Sequence, residues 1–332
     1  MKKLLFIGYE FHLKTRSSDF IIKELAETFK VTTCFVNLIS KHPFNALSNY
    51  KDLYFDYLVC WQVIPPKEFI NEVLKFGQGA FFPMYDGAPN PYKIEKLWHL
   101  RTFQIICFSK KLHNTLTKVG FSSHYIQYFP EAQKVASWGD SKSLFFWTRR
   151  DELNLSRIRE VIEDLEVESI HLHKVPDPSN TEQAISSCDR YNYTFSDWFE
   201  TKDEMLKKVM ASAYYIAPRF QEGIGMSFLE AMSMGRCVIA FDDSTMNEYI
   251  EGGVTGYLFN KTENPIKPVP IETIQSQAYK YMSLGRKNWM KEKAKIVQWI
   301  NKRAEYKRIK LWCFLLLRCL RSPLKVISYF VR

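Results

Sequence analysis

The sequence predicts an α/β protein built from two doubly wound, Rossmann-like domains. Short apolar segments alternate with amphipathic helical segments along nearly the whole chain. This alternation is typical of strands and helices that form a parallel sheet. It is interrupted once, at 130–142, and then begins again. Because 332 residues are enough for about two hydrophobic cores, we predict one domain on each side of the interruption.

Six strands and four helices are predicted before the interruption. Residues 1–7 start with charges, as a secretory signal peptide does, but the apolar run ends after four residues, so a strand is the better interpretation. Gly120 follows the last helix of this half, in the position where glycine ends many helices. The predicted strands are 3–7, 31–37, 57–61, 80–83, 105–109 and 125–129, and the helices are 18–29, 67–76, 92–101 and 110–119.

A second series of strands and helices follows the interruption. The strands are 144–148, 169–173, 191–195, 213–218, 237–241 and 256–259, and the helices are 155–165, 202–210, 226–234, 273–282 and 287–302. We place the domains at 1–137 and 138–303, followed by a tail at 304–332. Doubly wound sheets bind ligands at the carboxyl ends of their strands, so we expect a site in a cleft between the domains.

The composition indicates a soluble, cytoplasmic protein. Hydrophobic residues make up 46% and charged residues 25% of the chain. The seven cysteines form no C-x-x-C pair and mostly lie in apolar segments, which favours reduced, buried thiols. No segment approaches the roughly 18 apolar residues that a membrane-spanning helix needs.

The most informative segment is 218–240, which joins two of the predicted strands. Glu222 and Glu230 flank the turn Gly223-Ile224-Gly225 and the start of a helix that ends at Gly235. A helix N-terminus presents unpaired N–H groups and a positive dipole end, which suits a phosphate. Carboxylates are poor phosphate ligands but good acceptors for hydroxyls. The segment therefore predicts a ligand with both phosphate and hydroxyls, such as a sugar nucleotide.

This segment resembles the C-terminal half of GT-B-fold retaining glycosyltransferases of family 4, or group 1. It reads PRFQEGIGMSFLEAMSMGRCVIA. Residues 145–150, 193–210 and 247–259 resemble further parts of that family in the same order. The resemblance is clear over about 143–300, whereas the first half agrees in pattern only. It implies the GT-B fold, which consists of two Rossmann-like domains facing a cleft.

The resemblance also implies roles for individual residues. Glu222 would accept hydrogen bonds from hydroxyls of the donor sugar, and Glu230 from the ribose of the nucleotide. Arg149 or Arg150 would neutralise the diphosphate, whose charge grows as the glycosyl bond breaks. The catalytic set is thus Glu222, Arg149 and Arg150. The donor-binding set is Gly223, Ile224, Gly225, Met226, Glu230, Asn247, Glu248, Asp86 and Gly8.

The sequence departs from the family pattern at a few positions. Family members usually carry a lysine six residues after the arginine, but Leu155 and Ser156 stand there, with Arg157 or Arg150 as candidate substitutes. A Gly-Gly turn is absent after the first strand, and 244–247 is not rich in glycine. A degenerate, non-catalytic scaffold therefore remains an alternative. The arginine pair would then be a surface cluster.

Two further candidates lie in the first half. Asp86 and Tyr85 follow a strand end and would face the donor sugar or the acceptor, but an Asp-Gly turn explains them equally well. His12 is a weaker candidate for the acceptor side, and a surface histidine is the favoured interpretation.

Metal and redox chemistry have no support in the sequence. There is no D-x-D motif and no G-x-G-x-x-G after the first strand. His171 and His173 share one strand face without a third ligand at useful spacing, so a structural role is favoured over metal binding. We therefore expect no cofactor and no metal at the chemical step.

The tail at 304–332 is basic and amphipathic. Residues 285–332 contain 14 lysines and arginines against two acids, whereas the rest of the chain is close to neutral. A basic helix with aromatic residues on its apolar side is typical of contact with an anionic membrane surface. The alternative is packing on the N-terminal domain. The near-neutral body argues against a nucleic-acid partner.

Together these observations predict a retaining hexosyltransferase. Its donor would be a nucleoside-diphosphate sugar and its acceptor a saccharide or lipid-linked saccharide. The setting would be bacterial surface polysaccharide or lipopolysaccharide synthesis, at the inner face of the cytoplasmic membrane. A GT-B-fold epimerase is a second alternative besides the scaffold.

Overall fold

The computed structural model describes residues 1–87, 91–133, 137–177, 180, 190–261 and 266–307. The chain divides into two compact units. The first consists of Met1–Gln127 and the chain from Glu292 onward, and the second of Tyr128–Lys291.

The first unit contains a parallel sheet of six strands with the order β2-β1-β3-β4-β5-β6. Two of its interior strands, β1 and β3, are almost wholly buried, as expected for a parallel sheet covered on both faces. The strands are β1 (Lys3–Tyr9), β2 (Lys30–Val36), β3 (Tyr54–Trp61), β4 (Lys75–Phe82), β5 (Phe103–Cys107) and β6 (Ser123–Tyr125). The helices are α1 (Phe11–Thr15), α2 (Asp19–Ala26) and α3 (Lys110–Lys118), with 3-10 segments at Asn45–Tyr50 and Pro91–Leu100.

The second unit contains another parallel sheet of six strands, in the order β12-β11-β10-β7-β8-β9. Its strands are β7 (Asp140–Trp147), β8 (Ser169–His173), β9 (Asn192–Ser196), β10 (Ser212–Ile216), β11 (Cys237–Phe241) and β12 (Gly256–Phe259). Its helices are α4 (Leu155–Val161), α5 (Lys202–Ala211), α6 (Met226–Ser233) and α7 (Ile271–Glu292), with a 3-10 turn at Met246–Glu248. Eleven of the twelve predicted strands are therefore confirmed, whereas the strand expected at 125–129 is displaced to Ser123–Tyr125 and shares one residue with the prediction.

Several helix predictions differ from the structure. The helix expected at 92–101 is the 3-10 segment Pro91–Leu100. The helix expected at 67–76 is only a short π-helical turn at Phe69–Val73, and β4 already begins at Lys75. Phe76 packs against Phe103 of β5, with ring centroids 5.6 Å apart, so it belongs to the sheet.

The helices expected at 273–282 and 287–302 have other bounds. Helix α7 extends from Ile271 to Glu292 without a break, and a second helix follows at Ala294–Ile300. Gly285 lies inside α7, where a Cβ would be only 2.2 Å from the ring of Phe129, so the close approach of this ring requires glycine.

The C-terminal part of the described chain returns to the first unit. Helix α8 (Ala294–Ile300) buries Ile296 and Ile300 completely or nearly so. Trp299 stacks on His124, with centroids 4.6 Å apart, and Lys293 pairs with Glu24. These contacts place α8 in the first unit, whereas residues 292–303 were predicted to belong to a domain at 138–303. The apolar face of α8 decides its place, and sequence order does not.

The start of the predicted tail also packs on the first unit. The Tyr306 hydroxyl donates a hydrogen bond of 2.9 Å to the Val119 carbonyl, and its ring meets Trp98 and Phe121 edge-on. The remaining tail residues, 308–332, lie outside the described part of the chain. Within the described residues, none of the helices is long and apolar enough to cross a bilayer. The four described cysteines, Cys34, Cys60, Cys107 and Cys237, are buried, and none of these four forms a disulfide.

Each sheet has one place where the chain changes its direction of winding. In the first sheet this place lies between β1 and β3, and in the second between β7 and β10. The loops after such a pair of strands diverge to opposite faces of the sheet. They leave a crevice at the carboxyl edge where ligands of open α/β sheets bind.

Candidate functional site

The segment with the two glutamates follows β10 at the crevice of the second sheet. The loop after β7 carries Arg149 and Arg150 and reaches the same edge, because β7 and β10 pair in parallel, with Phe146 opposite Ile216. The loop after β10 contains Glu222 and leads into α6. Pairing of strands separated by about seventy residues thus brings the arginines and the glutamate to one place.

Gly225 gives the turn before α6 its shape. It caps the helix with φ of 79°, in the left-handed region that favours glycine. A Cβ at this position would lie 1.9 Å from the Phe228 ring. Glycine is therefore required for both conformation and space, and the N-terminus of α6 stays open to an anion.

Glu222 is held by the loop that follows β11. Its side chain is buried, with only 7% of the residue exposed, and its backbone N–H donates to the Ser244 carbonyl over 3.3 Å. Thr245 donates its hydroxyl toward the carbonyls of Glu222 and Ile224, at 3.5 and 3.4 Å. Ser244 in turn donates to Glu248 Oε1 over 2.5 Å. The structure thus brings Glu248 beside the Glu222 turn.

Glu230 lies on α6 and pairs with Lys202 at the start of α5. Burial raises the pKa of Glu230 above its usual value, and the Lys202 ammonium partly opposes this rise. The Glu230 side chain is 14% exposed and that of Lys202 is 60% exposed. Glu230 is therefore a mostly buried carboxyl whose ion-pair partner is largely exposed to solvent.

Tyr215 is a buried residue of β10. Burial raises the pKa of Tyr215, a hydrogen bond with Ser227 and the charge of Arg149 lower it, and the charges of Glu222 and Glu230 raise it. The charges of three candidate residues thus act on one buried hydroxyl. The Tyr215 ring lies flat on Phe145 of β7, with centroids 5.7 Å apart.

Arg149 and Arg150 both bind Asp177, in the loop after β8. The Arg149 guanidinium donates to Asp177 Oδ1 from Nε and Nη2, at 3.2 and 3.0 Å, and also lies over the Trp147 ring. Arg150 Nε lies 2.8 Å from Asp177 Oδ2. A third guanidinium, from Arg219, reaches the same Oδ2 at 2.5 Å.

Sequence reasoning missed Arg219 and Asp177. Arg219 stands three residues before Glu222 at the end of β10, and that position alone was a usable signal. Asp177 gave no signal, because its partners are distant in sequence. Leu155, where the family lysine was expected, is buried in the core with 3% exposed. Arg157 instead bonds to Glu160 and the Asn260 carbonyl.

The remaining donor candidates of the second unit have different surroundings. Gly223 and Ile224 are buried in the turn, and Met226 is half-buried at the start of α6. Asn247 is exposed, and its amide donates to Asp242 Oδ1 over 2.9 Å, so it is turned toward the end of β11.

Gly8 and Asp86 belong to the first unit. Gly8 packs closely, since a Cβ there would lie 3.1 Å from the Phe35 ring and 3.3 Å from His12 Nδ1. Asp86 is exposed in a turn in which the Gly87 N–H donates to the Met84 carbonyl over 3.2 Å. The turn interpretation of this segment is therefore confirmed.

His12 is not the surface histidine that was favoured. Only 2% of it is exposed, at the crevice between β1 and β3. Its Nδ1 accepts from the Tyr9 N–H at 3.3 Å, so Nε2 carries the proton and donates to Gln62 Oε1 at 3.1 Å. Burial lowers the pKa of His12 to about 4, and the ring is neutral at physiological pH.

His171 and His173 are hydrogen-bonded within the second sheet. His171 contacts the hydroxyls of Thr194 and Ser196 at 2.8 and 2.9 Å, and His173 contacts Ser196 at 3.0 Å. Burial lowers the pKa of each histidine to about 4. Both rings therefore serve packing and sheet hydrogen bonding, as the structural interpretation predicted.

Comparison with known proteins agrees with this architecture. Residues 151–267 match the model of the family described as glycosyl transferases group 1. Sucrose-phosphate synthase from Thermosynechococcus elongatus is 13% identical, with a TM-score of 0.60 over 90% of this chain and 98% of that one. Anabaena HepE, solved with UDP and glucose, is 11% identical, with a TM-score of 0.58 over 90% and 100% of the two chains.

A third similar structure is the lipopolysaccharide outer core galactosyltransferase WaaB in its apo form. It is 14% identical, with a TM-score of 0.54 over 85% of this chain and 90% of that one. None of the curated proteins matches the chain.

The two parallel sheets and their similarity to these structures show the GT-B fold. Within the second unit, residues 151–267 match the glycosyl transferases group 1 model. The resemblance inferred from the sequence is therefore confirmed in its fold and in the family matched by this segment.

Proposed function

We propose that this protein is a retaining hexosyltransferase that uses a nucleoside-diphosphate sugar. The observation that carries the proposal is the crevice between β7 and β10. It combines a buried carboxylate, Glu222, an open helix N-terminus at Gly225, and the arginines that follow β7. A ligand with hydroxyls next to a diphosphate matches this distribution of charge.

Each group has a chemical task in the proposed reaction. Glu222 accepts hydrogen bonds from the hydroxyls of the hexose, and Glu230 from the ribose of the nucleotide. The turn at Gly223–Gly225 and the first N–H groups of α6 lie against the diphosphate. Arg149 and Arg150 stabilise the charge that the diphosphate gains as the glycosyl bond breaks, which is usually the largest catalytic contribution.

The proposed reaction needs no protein nucleophile and no metal. The acceptor oxygen attacks the anomeric carbon from the face that the diphosphate leaves. The bond from the anomeric carbon to the diphosphate oxygen breaks, a new glycosidic bond forms, and the acceptor proton passes to the leaving diphosphate. Retention follows because entry and departure use the same face.

The named relatives support the choice of donor and setting. HepE was solved with UDP and glucose and also with UDP-glucose. TarM of S. aureus was solved with UDP and α-GlcNAc-glycerol, and WaaB is named as a lipopolysaccharide galactosyltransferase. We therefore infer a UDP-hexose as the first donor to test, and a cell-surface saccharide or its lipid-linked precursor as the acceptor.

A donor screen tests the proposed function. We expect one of UDP-, GDP- or dTDP-hexoses to raise the melting temperature, and the same donor to yield an α-linked product or slow hydrolysis with retention. No stabilisation by any of these donors would favour the non-catalytic scaffold. Conversion of the donor sugar without transfer would indicate the epimerase instead.

We also propose that residues 308–332 hold the enzyme at the inner face of the cytoplasmic membrane. The sequence supports this through arginines and lysines interleaved with aromatic residues. Because Tyr306 packs on the first unit, a truncation after Lys307 leaves that contact intact. We expect the truncated protein to lose sedimentation with phosphatidylglycerol vesicles, and to keep turnover on a soluble acceptor. Equal sedimentation of both proteins would contradict the proposal.

A further inference from the structure

The side chains that contact Asp177 carry more positive charge than this one carboxylate neutralises. Three guanidinium groups, from Arg149, Arg150 and Arg219, contact this single carboxylate at 2.5 to 3.0 Å. Asp177 and Arg219 are only 16% and 15% exposed. Burial by itself raises the pKa of Asp177, but Arg149 and Arg219 hold it below its usual value. The carboxylate is therefore ionised, and the cluster keeps two excess positive charges.

Two further acids stand close to these arginines in sequence. Glu152 is exposed to solvent, and its Oε1 accepts a hydrogen bond from the Phe220 N–H at 3.2 Å. Glu222 stands three residues after Arg219, in the turn before α6. Like charges that share one counter-ion repel each other, and a second anion relieves that repulsion.

The cluster stands where a diphosphate would meet the sheet. Arg149 and Arg150 come from the loop after β7 and Arg219 from the loop after β10, on the two sides of the crevice. Planar guanidinium groups bind phosphate oxygens in pairs, which a single lysine does not do. The cluster therefore has both the charge and the donor geometry for two phosphate groups.

The lysine that the family resemblance predicts six residues after the arginine is replaced in this sequence. Leu155 occupies its position and belongs to the hydrophobic core, so no side-chain movement restores a charge there. Arg157 is directed to Glu160, the Asn260 carbonyl and the ring of Phe259. Arg219 reaches the cluster from a different strand.

We propose that Arg219 binds the donor diphosphate together with Arg149 and Arg150, and that Asp177 is a positioning residue which the diphosphate displaces. The identity of the ligand rests on the proposed function, whereas the anion site rests on the cluster itself. Asp177 orders the three guanidinium groups in the empty protein. The diphosphate then replaces Asp177 as the acceptor of their hydrogen bonds. Part of the binding free energy is used to displace Asp177.

Inorganic pyrophosphate tests the anion site without a donor sugar. We expect calorimetry to show binding to the wild-type protein. Arg219→Gln should weaken binding about tenfold or more and reduce its salt dependence, because one charged hydrogen-bonding partner is lost. Arg219→Lys should recover only part of the affinity. Arg157→Gln tests the rival cation, and Arg159→Gln, which contacts Tyr193, is the matched control; both should bind as wild type.

Asp177→Asn should change the affinity for pyrophosphate in the opposite direction. Without its counter-ion the cluster should bind pyrophosphate more tightly, and the melting temperature should rise more on adding pyrophosphate than it does in the wild type. A merely structural Arg219 would lower the melting temperature of Arg219→Gln and leave pyrophosphate affinity unchanged, which overturns the proposal. Absence of pyrophosphate binding to the wild type overturns it as well.

The outcome separates this inference from the proposed function. If pyrophosphate binds through Arg219 while none of the donor sugars is turned over, the anion site stands and the hexosyltransferase proposal fails. If donors are turned over while Arg219→Gln binds pyrophosphate and UDP as the wild type does, the function stands and the role of Arg219 is wrong.

Discussion

Replacing Glu222 by glutamine is expected to slow hexose transfer by about 10²- to 10³-fold, a loss of about 2.7–4 kcal/mol in transition-state stabilisation. The charge is what matters, because glutamine keeps the size of the side chain and one acceptor oxygen. Glu222 is buried, with 7% exposed, so its negative charge acts on a bound sugar with little screening by water. Nucleotide affinity should change by less than about threefold, since Glu222 is assigned to the sugar.

The measurement is the turnover number with the donor found in the screen, beside calorimetric titration with its nucleoside diphosphate. Glu272→Gln, an exposed position on α7, is the matched control and should behave as wild type. Unchanged turnover in Glu222→Gln would remove its catalytic role. A parallel loss of nucleotide binding and turnover would instead place Glu222 at the nucleotide.

Replacing Arg236 by methionine is expected to lower the free energy of unfolding by about 3–5 kcal/mol. The side chain is completely buried and donates to four backbone carbonyls that end α5, α6 and the segment before β7, those of Met210, Ser212, Met234 and Ser137. Burial lowers the pKa of Arg236 to about 10, so the guanidinium remains charged at neutral pH. Methionine fills the space but leaves these carbonyls without their donor.

Urea unfolding measures the loss, and hydrogen exchange of β10, β11 and α6 locates it. Arg236→Lys should lose less than methionine, because an ammonium keeps the charge and some of the donors but not their planar arrangement. Arg303→Met, at an exposed position in the first unit, should have little effect. Similar stability of the Arg236 and Arg303 variants would show that the carbonyls are satisfied in another way.

Most of the fold was predictable because its signals are local. Buried parallel strands are short apolar segments, and eleven of the twelve were found from their own residues; β6, which is only partly buried, was predicted too late in the chain. The prediction failed where a neighbour in space decided the structure. Residues 283–286 were left between two predicted helices, but they lie inside α7, where Phe129 packs closely against Gly285. Lys75 and Phe76 looked helical, but they join the sheet beside β5.

The candidate site divides in the same way. The sequence by itself determined the glutamates, the glycine turn and α6, because these lie within one segment of the chain and have a fixed local geometry. Only the tertiary structure decided which cations join them. Arg219, Asp177 and Arg149 meet because β10 pairs with β7 rather than with β9. That choice depends on burying both faces of a sheet, and no short stretch of sequence records it.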